Sequence, residues 1–482
     1  MSKVPVRDYG LAGPESVRAV EAGLAGASWF QPVIDPAVMR QLQVRSDGRA
    51  ARDVVLWVML LVGSGVLAWW SIWSWWSIPA FLAYGALYGG ASDPRWHECG
   101  HGTAFRSQRA NDIVYYVASF MLFRGPTVWR WSHYRHHTDT IIVGRDAEIS
   151  FQRPANVWKA AFAFTNLKNG PLMFWRLVRH ALGRIDDDAR SFVPESELGK
   201  VKWESRVFVA IVAAVAAWSL ATWSIVPLMF IGLPSIYGAW LMVFFGLTQH
   251  AGLREDVLDH RLNTRSVRMN PVFRFLYLNM NYHVEHHIFP SVPYHALPSL
   301  HAEIKDQLAP IKPSTWATYR EIWTTLWRQQ HDPSYEIPIE LPPTVAPPKP
   351  IDVGEHYWFH GDDGAIDLGA AHQLAVGELR RVDITVEGEE RTFVLCRLDG
   401  GEVVLADGLC THQKVHLCDG AIIDGTIECP KHNGRFDALT GEPVRKPVRE
   451  PLTVYEVSES DDRITTRLDT KVTVRRTERA GQ

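Results

Sequence analysis

The chain has 482 residues, room for two or three domains, with a formal net charge of -3 and a mean hydropathy of -0.10. Neither the charge balance nor any basic run points to nucleic acid. The five cysteines, Cys99, Cys396, Cys410, Cys418 and Cys429, form no disulfide framework, which fits a reducing cytosol.

The first 50 residues read as an N-terminal cytoplasmic segment. Lys3, Arg7, Asp8, Glu15, Arg18 and Glu21 leave no apolar core for a signal peptide, and the stretch from Pro14 to Ala25 predicts a short amphipathic helix ahead of a membrane. From Val54 to Ser92, 39 residues carry no charged side chain; from Val207 to Leu253 there are 47 more, with His250 the only titratable imidazole. One crossing takes about 20 apolar residues, so each run can cross a bilayer and return. Pro79 with Trp69, Trp70, Trp73, Trp75 and Trp76 marks the first reversal, and Trp218, Trp223 and Pro227 the second, as interfacial tryptophans would. Flanking arginines (Arg45, Arg49 and Arg52; Arg95, Arg106 and Arg109; Arg254, Arg261, Arg265 and Arg268) put both flanks and both termini in the cytoplasm. Four transmembrane helices follow, within a unit of residues 51–332.

Histidine falls into three short clusters beside these runs: His97 and His101 (HECGH), His133, His136 and His137 (HYRHH), and His283, His286 and His287 (HVEHH). On a helix, positions i, i+3 and i+4 share one face, so each cluster aims its imidazoles at a common point. A single tetrahedral zinc is satisfied by four ligands, and imidazole suits zinc, copper, iron and nickel alike; eight nitrogens therefore argue for two metals. The topology brings all three clusters and His250, at the end of the fourth crossing, to one membrane face.

Residues 333–350 hold seven prolines and read as a tether, extended at roughly 3.1 Å per residue. Beyond it, Cys410 and His412 (CxH) precede Cys429 and His432 (CxxH) by 16 intervening residues, in a stretch that alternates like β-hairpins. Two thiolates and two imidazoles are the Rieske ligand set for a 2Fe-2S cluster, with both histidines on one iron. Zinc is the competing ligand set, disfavoured because one intervening residue strains a bite on a single ion.

At these residues the chain resembles two families joined end to end. Residues of about 50 to 310 resemble the integral-membrane fatty acid desaturases and related alkane hydroxylases, through HxxxH, HxxHH and the stretch from Asn281 to Pro290. The domain at 351–475 resembles the Rieske ferredoxins of bacterial oxygenase systems; together the halves are similar to the oxygenase and ferredoxin of rhizopine catabolism. The resemblance implies an α-helical membrane protein of the bacterial cytoplasmic membrane with a cytoplasmic His-rich diiron cap, plus a small all-β Rieske domain. It implies nine ligands for two irons, the eight histidines above and His250. Some desaturases hold a metal-bound water on an asparagine four residues before that histidine, where this chain has Gly246. Asp139, Asp146 and Glu148 stand where acids orient ligand imidazoles in alkane hydroxylases, or are solvated loop acids; Glu98, Glu285, Asn279 and Asn281 share that ambiguity, and Cys99 reads as packing. High-potential Rieske proteins carry a disulfide that Lys431 rules out here, so a potential toward about -150 mV is expected.

These sites imply dioxygen-dependent removal of hydrogen from an unactivated C-H bond of a lipid or hydrocarbon, with desaturation, hydroxylation and O-demethylation of a methyl ether all open. The Rieske domain would donate the electrons. No strand-to-helix GxGxxG is present, since Gly63 and Gly65 lie inside an apolar run, so an NAD(P)H-dependent flavin reductase must be a separate partner. Two competing readings are a membrane-anchored Rieske carrier without catalysis, which a broken cluster would betray, and a zinc hydrolase built on HECGH, which leaves two clusters without a use.

Overall fold

The computed structural model describes residues 7–25, 27, 29–343, 365–386, 389–412, 414–431 and 433–471. It divides into two compact units: one of Met1–Pro32, Val44–Ile288 and Val292–Thr344, the other of Val33–Gln43, Phe289–Ser291 and Val345–Gln482.

The first unit is helical. Its first helix, Pro14–Glu21, stops short of the expected Ala25 because Gly23 takes a left-handed φ of 71°. Asp47–Trp70 (α1), Glu195–Ala221 and Val226–His250 are long and apolar enough to cross a bilayer. Met59, Val62, Leu67 and Trp70 of α1 are exposed, as lipid-facing side chains are. The expected second crossing is divided: Ser77–Gly85 (α2) widens into a π-helical turn at Ala86–Gly90 and continues as Ser92–His101 (α3). Backbone packs closely on backbone beside this turn. A Cβ on Gly238 would lie 1.9 Å from the Gly85 carbonyl oxygen, and one on Gly89 2.5 Å from that of Pro234.

Gly102, with φ 67°, ends α3 immediately after His101. Pro126–Thr138 (α4) starts at Gly125 and Pro126, and its first turn receives the buried Glu204 of Leu198–Ala221 (α5). That carboxylate accepts from the Thr127 backbone N-H at 2.9 Å, the Thr127 hydroxyl at 2.9 Å and the Tyr116 hydroxyl at 2.6 Å. A negative charge on a helix N-terminus is favourable, and it ties the helix carrying HYRHH to one of the three long apolar helices. Trp240–His250 (α6) closes the third apolar helix. His283–Ile288 (α7), less than two turns long, is wholly buried and held by Glu285, which accepts from Ser266 and pairs with His301.

The second unit contains two antiparallel sheets. Ile366–Ala370 (β1), Leu379–Val386 (β2), Glu389–Arg397 (β3), Val403–Asp407 (β4), Ala421–Ile423 (β5), Thr426–Glu428 (β6), Arg435–Asp437 (β7), Pro443–Arg445 (β8), Val454–Ser460 (β9) and Arg463–Lys471 (β10) are arranged as β1-β10-β9-β4-β3-β2 and β5-β6-β7-β8. The expected hairpin is β3–β4, with Leu395 opposite Leu405. The CxH motif lies between β4 and β5, and the CxxH motif between β6 and β7. Residues 344–350 of the proline-rich stretch, 351–364 and His432 lie outside the described residues.

Candidate diiron and Rieske sites

All nine histidines expected to meet do so, and all nine imidazoles are buried or nearly so. They converge as two groups. His97, His101, His133, His137 and His286 each offer a nitrogen within 4.8 Å of the others, and His136, His250 and His287 do the same. His283 joins the second group, its Nε2 3.2 Å from that of His287 and its ring 5.0 Å from that of His250.

The contacts are nitrogen against nitrogen: Nε2 to Nε2 is 2.8 Å for His97 and His286, 3.1 Å for His133 and His101, and 3.2 Å for His137 and His133. A hydrogen bond between neutral imidazoles accounts for one such contact, yet His133 Nε2 has two. Burial, reinforced by neighbouring imidazoles, pushes His137, His286 and His287 well below the ordinary histidine range, so these rings are neutral. Neutral imidazoles with lone pairs aimed at one point are what a divalent cation requires.

The outward nitrogens say which tautomer is present. His250 Nδ1 faces the Asn263 carbonyl at 2.8 Å and must donate to it; its Nε2 is buried with no hydrogen-bond partner. His136 Nδ1 lies 2.9 Å from Asp146 Oδ2, and His133 Nδ1 3.2 Å from Glu148 Oε2. The Thr140 hydroxyl donates to the His136 carbonyl at 2.6 Å, leaving a lone pair for His287 Nδ1 at 3.2 Å. Each ring is thereby fixed with a bare Nε2 pointing inward. The residues fit a metal pair.

Of the acids expected near the site, Asp146 and Glu148 reach histidines, whereas Asp139 pairs with Arg145 at 3.0 Å. Glu98 accepts from Thr103 at 2.7 Å and from the Tyr294 backbone at 3.1 Å. Asn281 donates to the Val267 carbonyl and Asn279 to that of Tyr294, so both brace the loop before α7. Cys99 is buried. Sequence reasoning missed His260, 5.1 Å ring to ring from His287, which stands outside every cluster and carries no motif.

A cavity of about 1150 Å³ reaches this centre. His97, His133, His136, His250 and His283 form part of its wall, with Phe151, Phe162, Met173, Met242 and Leu247, and with the Asp93–Arg124 ion pair at 2.6 Å. Gly246 lines it too, and a Cβ there would meet nothing within 4 Å.

In the second unit, Cys410 and Cys429 are buried in one apolar cluster with Leu417, Ile427 and Phe436. Tight turns present them: Lys414 N-H donates to the Cys410 carbonyl at 2.8 Å, and Asn433 N-H to that of Cys429 at 3.1 Å, with left-handed φ of 54° and 55° at Lys414 and Asn433. Glu428 anchors the second turn through Asn433 at 2.9 Å and Arg435 at 2.6 Å. His412 is exposed, as an imidazole on the outer iron would be. Cys418 forms no disulfide. The two buried thiols and the exposed imidazole fit a 2Fe-2S cluster.

Comparison with known proteins finds a family for each half of the chain. The fatty acid desaturase family model matches residues 73–319 and the Rieske [2Fe-2S] domain model residues 365–456. The chain belongs to the fatty acid desaturase family and carries a carboxyl-terminal Rieske domain. It is 35% identical over 99 residues to the ferredoxin component of the naphthalene 1,2-dioxygenase system of Pseudomonas aeruginosa, covering 20% of this chain and 90% of that one. It is 23% identical over 239 residues to the Delta(5) fatty acid desaturase fat-4 of Caenorhabditis elegans, covering 44% and 53%. Among solved structures, the Sphingomonas yanoikuyae B1 ferredoxin matches at 32% identity over 21% of this chain and 95% of its own, with a TM-score of 0.19.

Proposed function

We propose that the protein is a dioxygen-dependent diiron oxidoreductase that desaturates or hydroxylates an unactivated C-H bond of a lipid or hydrocarbon, with its own Rieske domain as electron donor. His97, His101, His133, His137 and His286 would hold one iron and His136, His250, His283 and His287 the other, with Cys410, His412, Cys429 and His432 holding the cluster. The observation that carries the reading is the convergence of nine imidazoles at the end of a cavity, in one chain with a Rieske domain. The iron pair, when bound, supplies the oxidant, given dioxygen and two electrons per turnover, each cluster reduction providing one.

The chain's own residues hold and shape the site. Asp146, Glu148, Thr140 and the Asn263 carbonyl keep the Nδ1 protons of their histidines, so each Nε2 stays available. The apolar part of the wall at Phe151, Phe162, Met173, Met242 and Leu247 suits an alkyl substrate. The same wall carries Asp93, Arg124 and Gln249, which favours a second reading, O-demethylation of a small polar methyl ether. Ser77–His101 would supply a fourth crossing, placing both termini and both sites on the cytoplasmic side of a bacterial inner membrane. A separate NAD(P)H-dependent flavoprotein would reduce the cluster.

Membranes containing the protein, incubated with such a reductase and a lipid and metabolite extract, test the reading by product mass. Loss of two hydrogens means desaturation, gain of one oxygen hydroxylation, and loss of CH₂ demethylation. No substrate converted with all irons present would refute catalysis in favour of a Rieske carrier.

A further inference from the structure

Two aromatic routes touch the histidine centre, and they end in different places. Trp96 lies 5.5 Å from His133 and 6.0 Å from Trp129, and both tryptophans line the cavity. The other route does not. Trp29 stacks on His260 with centroids 4.2 Å apart and planes at 9°, and His260 lies 5.1 Å from His287. Neither Trp29 nor His260 is part of the cavity wall. His260 is 3% exposed, whereas Trp29 is partly exposed.

This stack is built in rather than fortuitous. Trp29 Nε1 donates to the Thr138 carbonyl at 3.1 Å, one residue past His137. Phe30 N-H donates to the Leu258 carbonyl at 3.1 Å, and the Arg261 guanidinium sits 3.3 Å over the Phe30 ring. Two consecutive aromatic residues are thus clamped onto two consecutive residues of the 258–261 segment. Electron tunnelling decays exponentially with distance and is weakest across gaps between non-bonded atoms. Rings in van der Waals contact shorten those gaps, and this pair spans from partly exposed surface to a histidine of the second group.

We propose that Trp29 and His260 form the path by which electrons enter the iron pair, separate from the door used by substrate. The proposal rests on the donor role of the Rieske domain argued above. One electron leaves the reduced cluster, which is oxidised, and passes through Trp29, His260 and the His287 imidazole to a ferric ion, which becomes ferrous. No bond or proton moves along the path, and two such transfers serve one turnover.

The test follows cluster re-oxidation, not product. The full iron-loaded chain, fully oxidised, is mixed without dioxygen with NAD(P)H in less than stoichiometric amount and a catalytic amount of reductase, and the recovery of the cluster's visible absorbance after its reduction is followed by stopped flow. Trp29→Phe, which keeps a ring, should transfer within about twofold of wild type, while Trp29→Leu should be slower by about tenfold or more. Iron content and the Rieske EPR spectrum should be unchanged, and a small diffusing mediator should reduce the iron pair of Trp29→Leu at the wild-type rate. His260→Leu gives the same reading should Trp29→Leu not fold. Transfer at the wild-type rate in the leucine variants, or slow transfer accompanied by loss of iron, overturns the path. A wild-type cluster that never passes its electron to the iron pair overturns the donor role itself, and the path with it.

Discussion

Replacing Asp146 by asparagine perturbs the second iron without touching a proposed ligand. The buried carboxylate takes three donors: His136 Nδ1 at 2.9 Å and the Ile141 N-H at 2.8 Å on Oδ2, and the Glu148 N-H at 2.8 Å on Oδ1. An amide has one acceptor oxygen. If it serves His136 and Ile141, its NH₂ opposes the Glu148 N-H; if it flips, it opposes the His136 ring. The first costs about 1–3 kcal/mol for a buried donor left unpaired, and in both the negative charge that steadies His136 is lost. Changes to groups that orient a ligand histidine typically cost about 10–100-fold in metal affinity, or roughly 1.4–2.7 kcal/mol. Elemental analysis of iron across a graded chelator series is the assay, with the Rieske EPR signal as internal reference. Asp146→Asn should lose membrane-half iron at correspondingly lower chelator while the Rieske signal persists. A chelator midpoint equal to wild type would refute the argument that Asp146 sustains the site through His136.

A fragment from about Ile351 onward should be soluble and red-brown, with the reduced-state EPR spectrum of a Rieske centre, and His432→Cys in the full chain should alter that spectrum while leaving membrane-half iron in place; a fragment colourless after anaerobic reconstitution counts against that boundary. Gly238→Val should abolish monodisperse protein in detergent chromatography, because its Cβ would overlap the Gly85 carbonyl at 1.9 Å; a well-behaved Gly238→Val protein contradicts the close approach of those helices.

The histidine convergence was legible because i, i+3 and i+4 spacing turns chemistry into geometry on a helix, and the CxH and CxxH pairs were legible because the cluster needs those bites. Long uncharged runs made the three long apolar helices legible. Other features depend on contacts between segments far apart in the chain. The π turn at Ala86–Gly90 sits beside the close approach of Gly238 to Gly85, and α4 is positioned by Glu204, 77 residues beyond Thr127. Asp139, Asp146 and Glu148 were equivalent in sequence; only the turn after α4 sends Asp139 to Arg145 and the other two to histidines. Trp29 and His260 belong to no motif, and their stacking pairs positions more than 200 residues apart.

The central claim is that the two metal sites form one electron-transfer system. His412→Ala and His136→Ala, each assayed in the full chain with NAD(P)H, a reductase and no other ferredoxin, test it most directly. His412→Ala should stop substrate oxidation although all nine membrane-half histidines and their irons remain, and His136→Ala should stop it while the cluster is reduced normally. Substrate oxidation at the wild-type rate by His412→Ala would contradict the account.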